Sequence, residues 1–393
     1  MLTKERKMDR LLLVAVLLVA GIGVLMVYSS TALMDLEGAD EGAQFRYLWK
    51  HLFALVISLM AMVFAYRTKI SFIRDNGFVL LVVGFLLLLL VFVPGIGVKL
   101  NGARRWIRLQ PTTFQPSEFV KFAMVAYLAR YLVDTEGRRE ELLTFLKPVG
   151  IMVVLQGVIL LQPDFGAAVM LGLITIAMLF AGGTPVRYLV SLGLFLLPGI
   201  IYLIHEPYRY KRVVAFLDPW KDPMGSGFQL VQSFIALGSG GLFGMGIGES
   251  RQKLSFLPEI NTDFIFSLLG EELGLAGAFV VLALFLLIFL RGMRIVRTSA
   301  DSYSRYLSLG FVLMIVFQVL INIMVVTGMV PTKGLPLPFI SYGGSSLLMN
   351  FVAVGILLRI SRGEPECRVQ TAPGRSYIRN RRRVVLRTRG VYR

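Results

Sequence analysis

The feature that most constrains this chain is a run of about twenty apolar residues that recurs along nearly its whole length. The hydrocarbon core of a bilayer is about 30 Å thick, so a helix that crosses it needs about 20 predominantly apolar residues. Ten segments approach that length, at 11–30, 51–66, 77–96, 119–133, 148–162, 165–182, 186–204, 264–290, 304–329 and 343–360. The sequence therefore predicts an all-α polytopic membrane protein with ten transmembrane helices.

The composition agrees with a membrane protein, since 56% of the residues are hydrophobic and 17% are charged. Soluble domains average about 25% charged residues. The first apolar run follows a basic segment, as in a signal peptide, but it has the length of a full span and no A-x-A cleavage site follows it. We therefore expect it to be retained as the first helix. The fourth segment fits least well because it contains Lys121 and Arg130. A tight turn, "QPDFG" at 162–166, is predicted to join the fifth and sixth segments.

The distribution of Lys and Arg predicts the orientation, because cytoplasmic loops carry an excess of these residues. Basic residues cluster before the first segment and after the second, eighth and tenth, whereas the first loop is acidic. Both termini are therefore predicted to be cytoplasmic, and residues 205–262 form a large extracytoplasmic loop between helices 7 and 8. The predicted domains are a tail at 1–10, a membrane domain at 11–360 and a basic tail at 361–393.

Several functional classes are disfavoured by composition. A single cysteine gives no disulfide framework, and two histidines make a histidine-built zinc site improbable. The glycine-rich stretch "GSGGLFGMGIGES" at 238–250 matches neither nucleotide-binding template, so no nucleotide cofactor is expected. It instead predicts a close-packed turn or re-entrant segment. The arginine-rich tail favours contact with anionic lipid headgroups over binding to nucleic acid.

Two predicted outward loops carry positive charge, against the usual trend. The loop at 98–118 contains Arg104 and Arg105, and the loop at 205–262 contains Arg212. This pattern suggests an anionic ligand such as a phosphate or pyrophosphate. Solvated charges that are balanced by acidic neighbours explain it equally well at this stage.

Acidic side chains at membrane depth are costly and indicate a function. We expect Asn261 or Thr262 to cap the eighth helix and Asp263 to lie in its first turn, at the outer surface. Glu271 would then lie about 12 Å further along the helix axis, too far to form a glycosidase pair with Asp263. Asp263 would therefore act alone as a base. Glu271 is interpreted as a buried hydrogen-bonding or packing partner.

Glu118 and Lys121 are three residues apart and share one helix face. The preceding Pro116 marks a helix start, with Ser117 as a plausible N-cap. The charged pair could simply join helices. Alternatively, Lys121 could reach a phosphate while Glu118 positions it.

Several motifs occur together and in order: "NGARRWIRL", "QPSEFVKFAMVAYLARYL", "LQPDFGAAVM", "RVVAFLDPW", "QKLSFLPEINTDFIFSLLGEELGL" and "PTKGLPLPFISYGGSSLLMN". Over residues 11–360 they resemble the SEDS family of bacterial cell-wall polymerases, which includes FtsW, RodA and SpoVE. The sequences of these motifs resemble the division and sporulation branch, FtsW and SpoVE, more than RodA.

The resemblance implies a glycosyltransferase that polymerises lipid II, the undecaprenyl-pyrophosphate-linked disaccharide-pentapeptide. The site would face outward from the inner membrane, at the division septum. The implied partners are a class B penicillin-binding protein, which is a transpeptidase, and other divisome membrane proteins. No nucleic acid is expected. The resemblance leaves two alternatives open, a lipid II flippase and a RodA-type elongation polymerase, and a scaffold that recruits a transpeptidase is a third.

The resemblance also implies roles for residues. Asp263, the aspartate of "TDFIF", would be the catalytic base, although Asn261 stands where the family often has histidine. The implied substrate-binding residues are Arg104, Arg105, Trp106, Glu118, Lys121, Arg212 and Lys333. A divalent cation, Mg²⁺ or Mn²⁺, could help to stabilise the pyrophosphate, but the sequence shows no acidic cluster dedicated to a metal.

Overall fold

The computed structural model describes residues 7–31, 43–100, 103–109, 112–204, 214–250, 261–332 and 334–363, and most of these are helical. The α-helices are α1 (Arg10–Thr31), α2 (Ala43–Arg67), α3 (Ile70–Leu90), α4 (Pro116–Asp134), α5 (Leu142–Leu161), α6 (Phe165–Ala181), α7 (Val186–Ile204), α8 (Phe228–Ser239), α9 (Ile265–Thr298), α10 (Ser302–Val326) and α11 (Gly344–Arg362).

Each of the ten predicted segments overlaps one of these helices, and α8 is an additional helix within the predicted large loop. Seven helices are long and apolar enough to cross a membrane, namely α1, α2, α3, α5, α9, α10 and α11. The other three do not meet the criterion: α6 has 17 residues, α4 carries charged side chains, and the side chains of α7 are described only over 186–199. The tight turn predicted between α5 and α6 is confirmed.

The expectation of a purely α fold is wrong in one place. Residues Gly97–Leu100, Ala103–Leu109 and Thr112–Phe114 form three antiparallel strands, β1, β2 and β3, in that order in the sheet. Ile107 pairs with Gly97 on one side and with Phe114 on the other. The strands are too short to stand out in a search for membrane-length apolar runs. This small sheet lies in the predicted outward loop and leads directly into α4.

Helix α4 lies in the core of the bundle. Most of its side chains are buried, and Phe122 stacks on Phe311 of α10 with ring centroids 5.1 Å apart. On the other side, Gly77 of α3 faces the main chain of Ala126, where a Cβ would lie 3.1 Å from the carbonyl oxygen. Because the first part of α4 is enclosed on nearly all faces, a charge there must find its partner inside the protein, whereas Arg130 and Asp134 near its end are exposed.

Helix α9 is broken, which the sequence analysis missed. Gly274 has φ 67° and ψ −168°, so the helix stops and restarts there. The glycine-rich turn after α8 packs against the break. Its amides at 245 and 246 donate to the carbonyls of Glu271 and Glu272, at 3.0 and 3.1 Å, and its carbonyls at 241 and 242 accept from the amides of 275 and 276, both at 3.0 Å. The predicted close-packed turn is thus confirmed.

A second irregular segment, 334–343, directly precedes α11 and is largely buried. Leu335, Leu337, Phe339 and Ile340 are each at most 3% exposed. Gly23 of α1 faces the carbonyl of Phe339 so closely that any side chain there would overlap it. This segment, which we call the buried loop, therefore runs inside the bundle rather than over its surface.

The packing at the break in α9 leads to a first prediction, Gly244→Ala. Gly244 has φ +82°, and a Cβ there would overlap the carbonyl of Glu272. We expect the substitution to destabilise the fold by about 2 kcal/mol or more, measured as a lower midpoint of thermal unfolding in detergent.

The matched control is Gly248→Ala, because Gly248 has a similar φ of +95° but open space around its Cβ position. An alanine at position 248 therefore introduces the backbone strain of a positive φ but no overlap with a neighbouring atom. Equal losses in the two variants would contradict the packing described here.

Candidate active site

Asp263 lies in a turn at 261–264 that precedes α9, and it is half-buried. The helix begins at Ile265, its N-cap is Phe264, and no side chain caps it. The predicted capping by Asn261 or Thr262 is therefore wrong, and Asp263 precedes the first helical turn instead of lying in it. The carboxylate is thus carried by irregular backbone, which requires other contacts to fix it.

Those contacts come from α10 and the buried loop. The carbonyl of Asn261 accepts from the amide of Tyr342 at 2.9 Å, and that of Thr262 accepts from Ser341 Oγ at 2.5 Å. The carbonyl of Asp263 accepts from Asn322 Nδ2 at 2.8 Å. Three consecutive carbonyls of the turn are therefore satisfied by one helix and one loop.

The buried loop also approaches the carboxylate itself. A Cβ at Gly334 would lie 3.1 Å from Asp263 Oδ2, so the glycine leaves room for the acid. At the far end of the loop, the ring of Tyr342 lies against Tyr47 and His51 of α2, with centroids 5.7 and 6.0 Å apart. Burial, with a smaller contribution from Tyr47, raises the pKa of Tyr342. Its hydroxyl is therefore protonated at neutral pH.

Glu271 and Glu272 are buried and hydrogen-bonded. Ser250 donates to Glu271 Oε2, and Ser29 of α1 donates to Glu272, with 2.7 Å to each carboxylate oxygen. The expectation that Glu271 is a buried hydrogen-bonding partner is confirmed. The helical spacing used to separate it from Asp263 does not apply, however, because Asp263 is outside the helix.

Glu118 and Lys121 form a buried ion pair at the start of α4. Lys121 Nζ lies 2.9 Å from Glu118 Oε1, and the two residues are 1% and 4% exposed. Pro116 is the first helical residue and Gln115 is the N-cap, so the predicted start, with Pro116 before the helix and Ser117 as N-cap, is wrong by two positions. The charges neutralise each other inside the core, and in this conformation protein encloses the ammonium group.

Asp164 is a polar centre that the sequence analysis did not single out. It accepts from Gln115 Nε2 at 2.8 Å and from Ser117 Oγ at 3.3 Å, and it caps α6 through the amide of Ala167 at 3.1 Å. The sequence does contain a signal for this role. Asp164, in "QPDFG", stands immediately before an apolar run, and this position is typical of a helix N-cap. Asp164 thus joins the start of α4 to the start of α6.

The two arginines of "RRW" differ in the structure. Arg105 donates from Nε to the carbonyl of Gln162 at 3.3 Å and from Nη2 to the carbonyl of Pro163. Arg104 is exposed on β2, and Trp106 is half-buried. Arg105 therefore holds the sheet onto the turn between α5 and α6, whereas Arg104 faces the solvent.

Two of the predicted site residues, Arg212 and Lys333, lie outside the described residues. In the part of the chain that the structure describes, no group of three or more His, Cys, Asp or Glu residues could hold a metal ion.

The fold and these buried polar contacts define a polytopic helical membrane protein with an acidic residue at a junction between two irregular segments. Comparison with known protein families then identifies the family. The chain belongs to the FtsW/RodA/SpoVE family, described as cell cycle proteins, whose model matches residues 9–366. This confirms the resemblance seen in the sequence motifs.

Similar proteins match over nearly the full length. A probable peptidoglycan glycosyltransferase FtsW of Trichlorobacter lovleyi is 44% identical over 358 residues, covering 90% of this chain and 93% of the relative. Stage V sporulation protein E of Bacillus subtilis is 43% identical over 368 residues, covering 92% of this chain and 99% of the relative.

Solved structures agree with the fold. A chain from a peptidoglycan synthase complex that coordinates polymerization and crosslinking matches with a TM-score of 0.72 at 30% identity, covering 90% of this chain and 98% of its own. The rod shape determining protein RodA of Thermus thermophilus matches with a TM-score of 0.66 at 27% identity, covering 90% and 97%.

The Glu118–Lys121 pair gives a second prediction, which separates its structural role from a role in binding. Lys121→Met leaves a buried carboxylate without its partner and should destabilise the protein by about 3–5 kcal/mol. The double variant Glu118→Leu with Lys121→Met removes both charges and should recover most of that loss, because a buried pair is often replaceable by apolar residues.

Thermal unfolding is measured on both variants, together with binding of lipid II, the ligand that the sequence resemblance implies. If the double variant is stable and still binds normally, the pair is structural. If the double variant regains its stability but does not bind the ligand, Lys121 or Glu118 takes part in ligand binding.

Proposed function

We propose that this chain is a peptidoglycan glycosyltransferase that polymerises lipid II into glycan strands and releases undecaprenyl pyrophosphate. The observation that carries the proposal is the match to a probable peptidoglycan glycosyltransferase over 90% of this chain at 44% identity. The half-buried Asp263, on a turn fixed by three main-chain contacts, supplies a carboxylate suited to act as a base.

The proposal includes the orientation. Each of the ten predicted segments overlaps a helix, and the positive charges of the short loops favour cytoplasmic termini with ten crossings. In that topology, the crossings of even number return to the cytoplasm. Helix α9 is the eighth crossing, so its start lies at the outer surface. Asp263 would then meet the sugar and pyrophosphate of lipid II outside the inner membrane.

The proposed reaction is an inverting displacement. Asp263 accepts the proton of the GlcNAc 4-hydroxyl of the acceptor, and that oxygen forms a bond to the anomeric carbon of the donor MurNAc. The bond from this carbon to the pyrophosphate oxygen breaks, and undecaprenyl pyrophosphate leaves with the electron pair. This reaction needs only one base. Glu271 is not required as a second one, which agrees with the hydrogen bond that its carboxylate accepts from Ser250.

Stabilisation of the leaving pyrophosphate is assigned to cations on the same proposed side. Arg104 is exposed on β2 and can contact a phosphate directly, with Arg212 and Lys333 as further candidates. Lys121 would join them only after its pair with Glu118 opens. A divalent cation, if used, would be carried mainly by the pyrophosphate oxygens, as Mg²⁺ commonly is.

The proposed cellular role is septal wall synthesis with a class B penicillin-binding protein, among the other membrane proteins of the divisome. The division role rests on the FtsW name of the relatives, and the partner on the synthase complex that this chain resembles. The predicted outer loop exposes large apolar side chains that suit a partner or the headgroup region, namely Leu217, Trp220, Met224, Leu242, Phe243 and Ile247.

The third prediction tests the base. Asp263→Asn keeps the size of the side chain but removes its ability to accept a proton, so polymerisation should fall by at least about 100-fold. The measurement is gel analysis of glycan strands made from purified lipid II by the protein together with its co-purified transpeptidase. Glu271→Gln is the matched control, a second acid-to-amide change that should retain polymerisation if the protein stays folded.

The outcomes separate the candidate functions. Equal product from wild type and Asp263→Asn would remove Asp263 from the chemistry. A wild-type complex that makes no strands but moves lipid II across liposome bilayers would favour the flippase. A wild-type complex that does neither would favour the scaffold.

A further inference from the structure

Asn322 of α10 connects the turn that carries Asp263 to the buried loop. Its side chain is 1% exposed, and Nδ2 donates to the carbonyls of Asp263 and Leu335, both at 2.8 Å. A carboxamide nitrogen has two N–H groups, so these two bonds use both of its donors. One buried side chain thus joins two segments that are 72 residues apart in sequence.

The turn depends on such contacts because it lies before α9. The carbonyl of Phe264 already accepts from the amide of Ser267, but those of 261–263 accept from outside the helix. Asn322 is the α10 side chain that holds Asp263 itself. Through Leu335 it also fixes the backbone beside Gly334, the residue that faces the carboxylate of Asp263.

We propose that Asn322 is a positioning residue for the base: it contacts no substrate, and it holds the main chain of Asp263 at the distance and angle that proton transfer requires. This inference rests on the proposed function of Asp263. A displacement of about 1 Å in a reacting group can lower a rate about 100-fold. An effect of Asn322 on turnover is therefore expected without direct participation in the reaction.

Gln318 provides a matched control. It lies one helical turn before Asn322 and is 0% exposed. Its Nε2 donates to the carbonyl of Pro336 at 2.8 Å and to Ser346 Oγ at 2.9 Å. Gln318 therefore anchors the same buried loop with the same chemical group, but the structure gives it no bond to the turn at 261–264.

The fourth prediction compares Asn322→Leu with Gln318→Leu in the complex with the transpeptidase. Both variants remove a buried amide, so both should lower the thermal midpoint. Asn322→Leu should lower kcat for lipid II polymerisation by about 10- to 100-fold with KM changed less than about 3-fold. Gln318→Leu should keep kcat within about 3-fold, and Asn322→Gln, which retains the donor, should recover part of the loss.

Hydrogen exchange gives a readout that does not depend on activity. Amides at 261–264 should exchange faster in Asn322→Leu than in Gln318→Leu, relative to the rest of the bundle. If kcat falls equally in both leucine variants, or only KM changes, Asn322 has a structural role and the proposal is overturned. If wild type makes no strands, or Asp263→Asn is fully active, the proposed function fails. Exchange at 261–264 then decides whether Asn322 holds the turn.

Discussion

The structure depends on the requirement that every buried backbone polar group find a hydrogen-bond partner. Regular helices meet this requirement by themselves, but the break in α9 and the buried loop do not. At the break, the turn after α8 supplies main-chain donors and acceptors to the residues on both sides of Gly274. Glycines are needed there because the two backbones approach closely. The irregular segments therefore exist only because neighbouring segments complete their hydrogen bonds.

The buried loop meets the same requirement with side chains. Its carbonyls at Leu335 and Pro336 accept from Asn322 and Gln318, and its amide at Leu337 donates to Ser341 Oγ at 2.7 Å. Amides that would be costly on a lipid-facing helix are thus stabilising on α10, since they complete the backbone of a neighbouring segment. The buried polar side chains of this bundle are therefore explained as much by the backbone groups that need hydrogen-bond partners as by a role in a reaction.

The sequence predicted well what depends on long apolar runs and on local motifs. The ten helical segments, the turn at 162–166 and the hydrogen-bonded state of Glu271 all follow from patterns within a few residues of one another. The break at Gly274, the N-cap at Phe264 and the three short strands were missed. The strands pair with their sequence neighbours, and Asn101-Gly102 between β1 and β2 is a local hairpin signal that long apolar runs do not reveal. The other two features are decided by contacts between distant segments, as when the turn after α8 pairs with α9. No local pattern encodes such pairing, and a kinked helix keeps the hydropathy of a straight one.

The same limit explains why the candidate site was only partly predictable. Asp263 could be chosen from its cost at membrane depth, but Asn322 and Ser341 are ordinary polar residues until the buried loop brings them to the turn. The loop continues into Ser345, which accepts from the amide of Gln115 at 2.9 Å and donates to the carbonyl of Thr113 at 3.3 Å. One segment therefore contacts both the turn of the proposed base and the end of the sheet that bears Arg104. The hydrogen bonds of this segment thus run from the turn of the proposed base to β3, the strand that pairs with the one bearing Arg104.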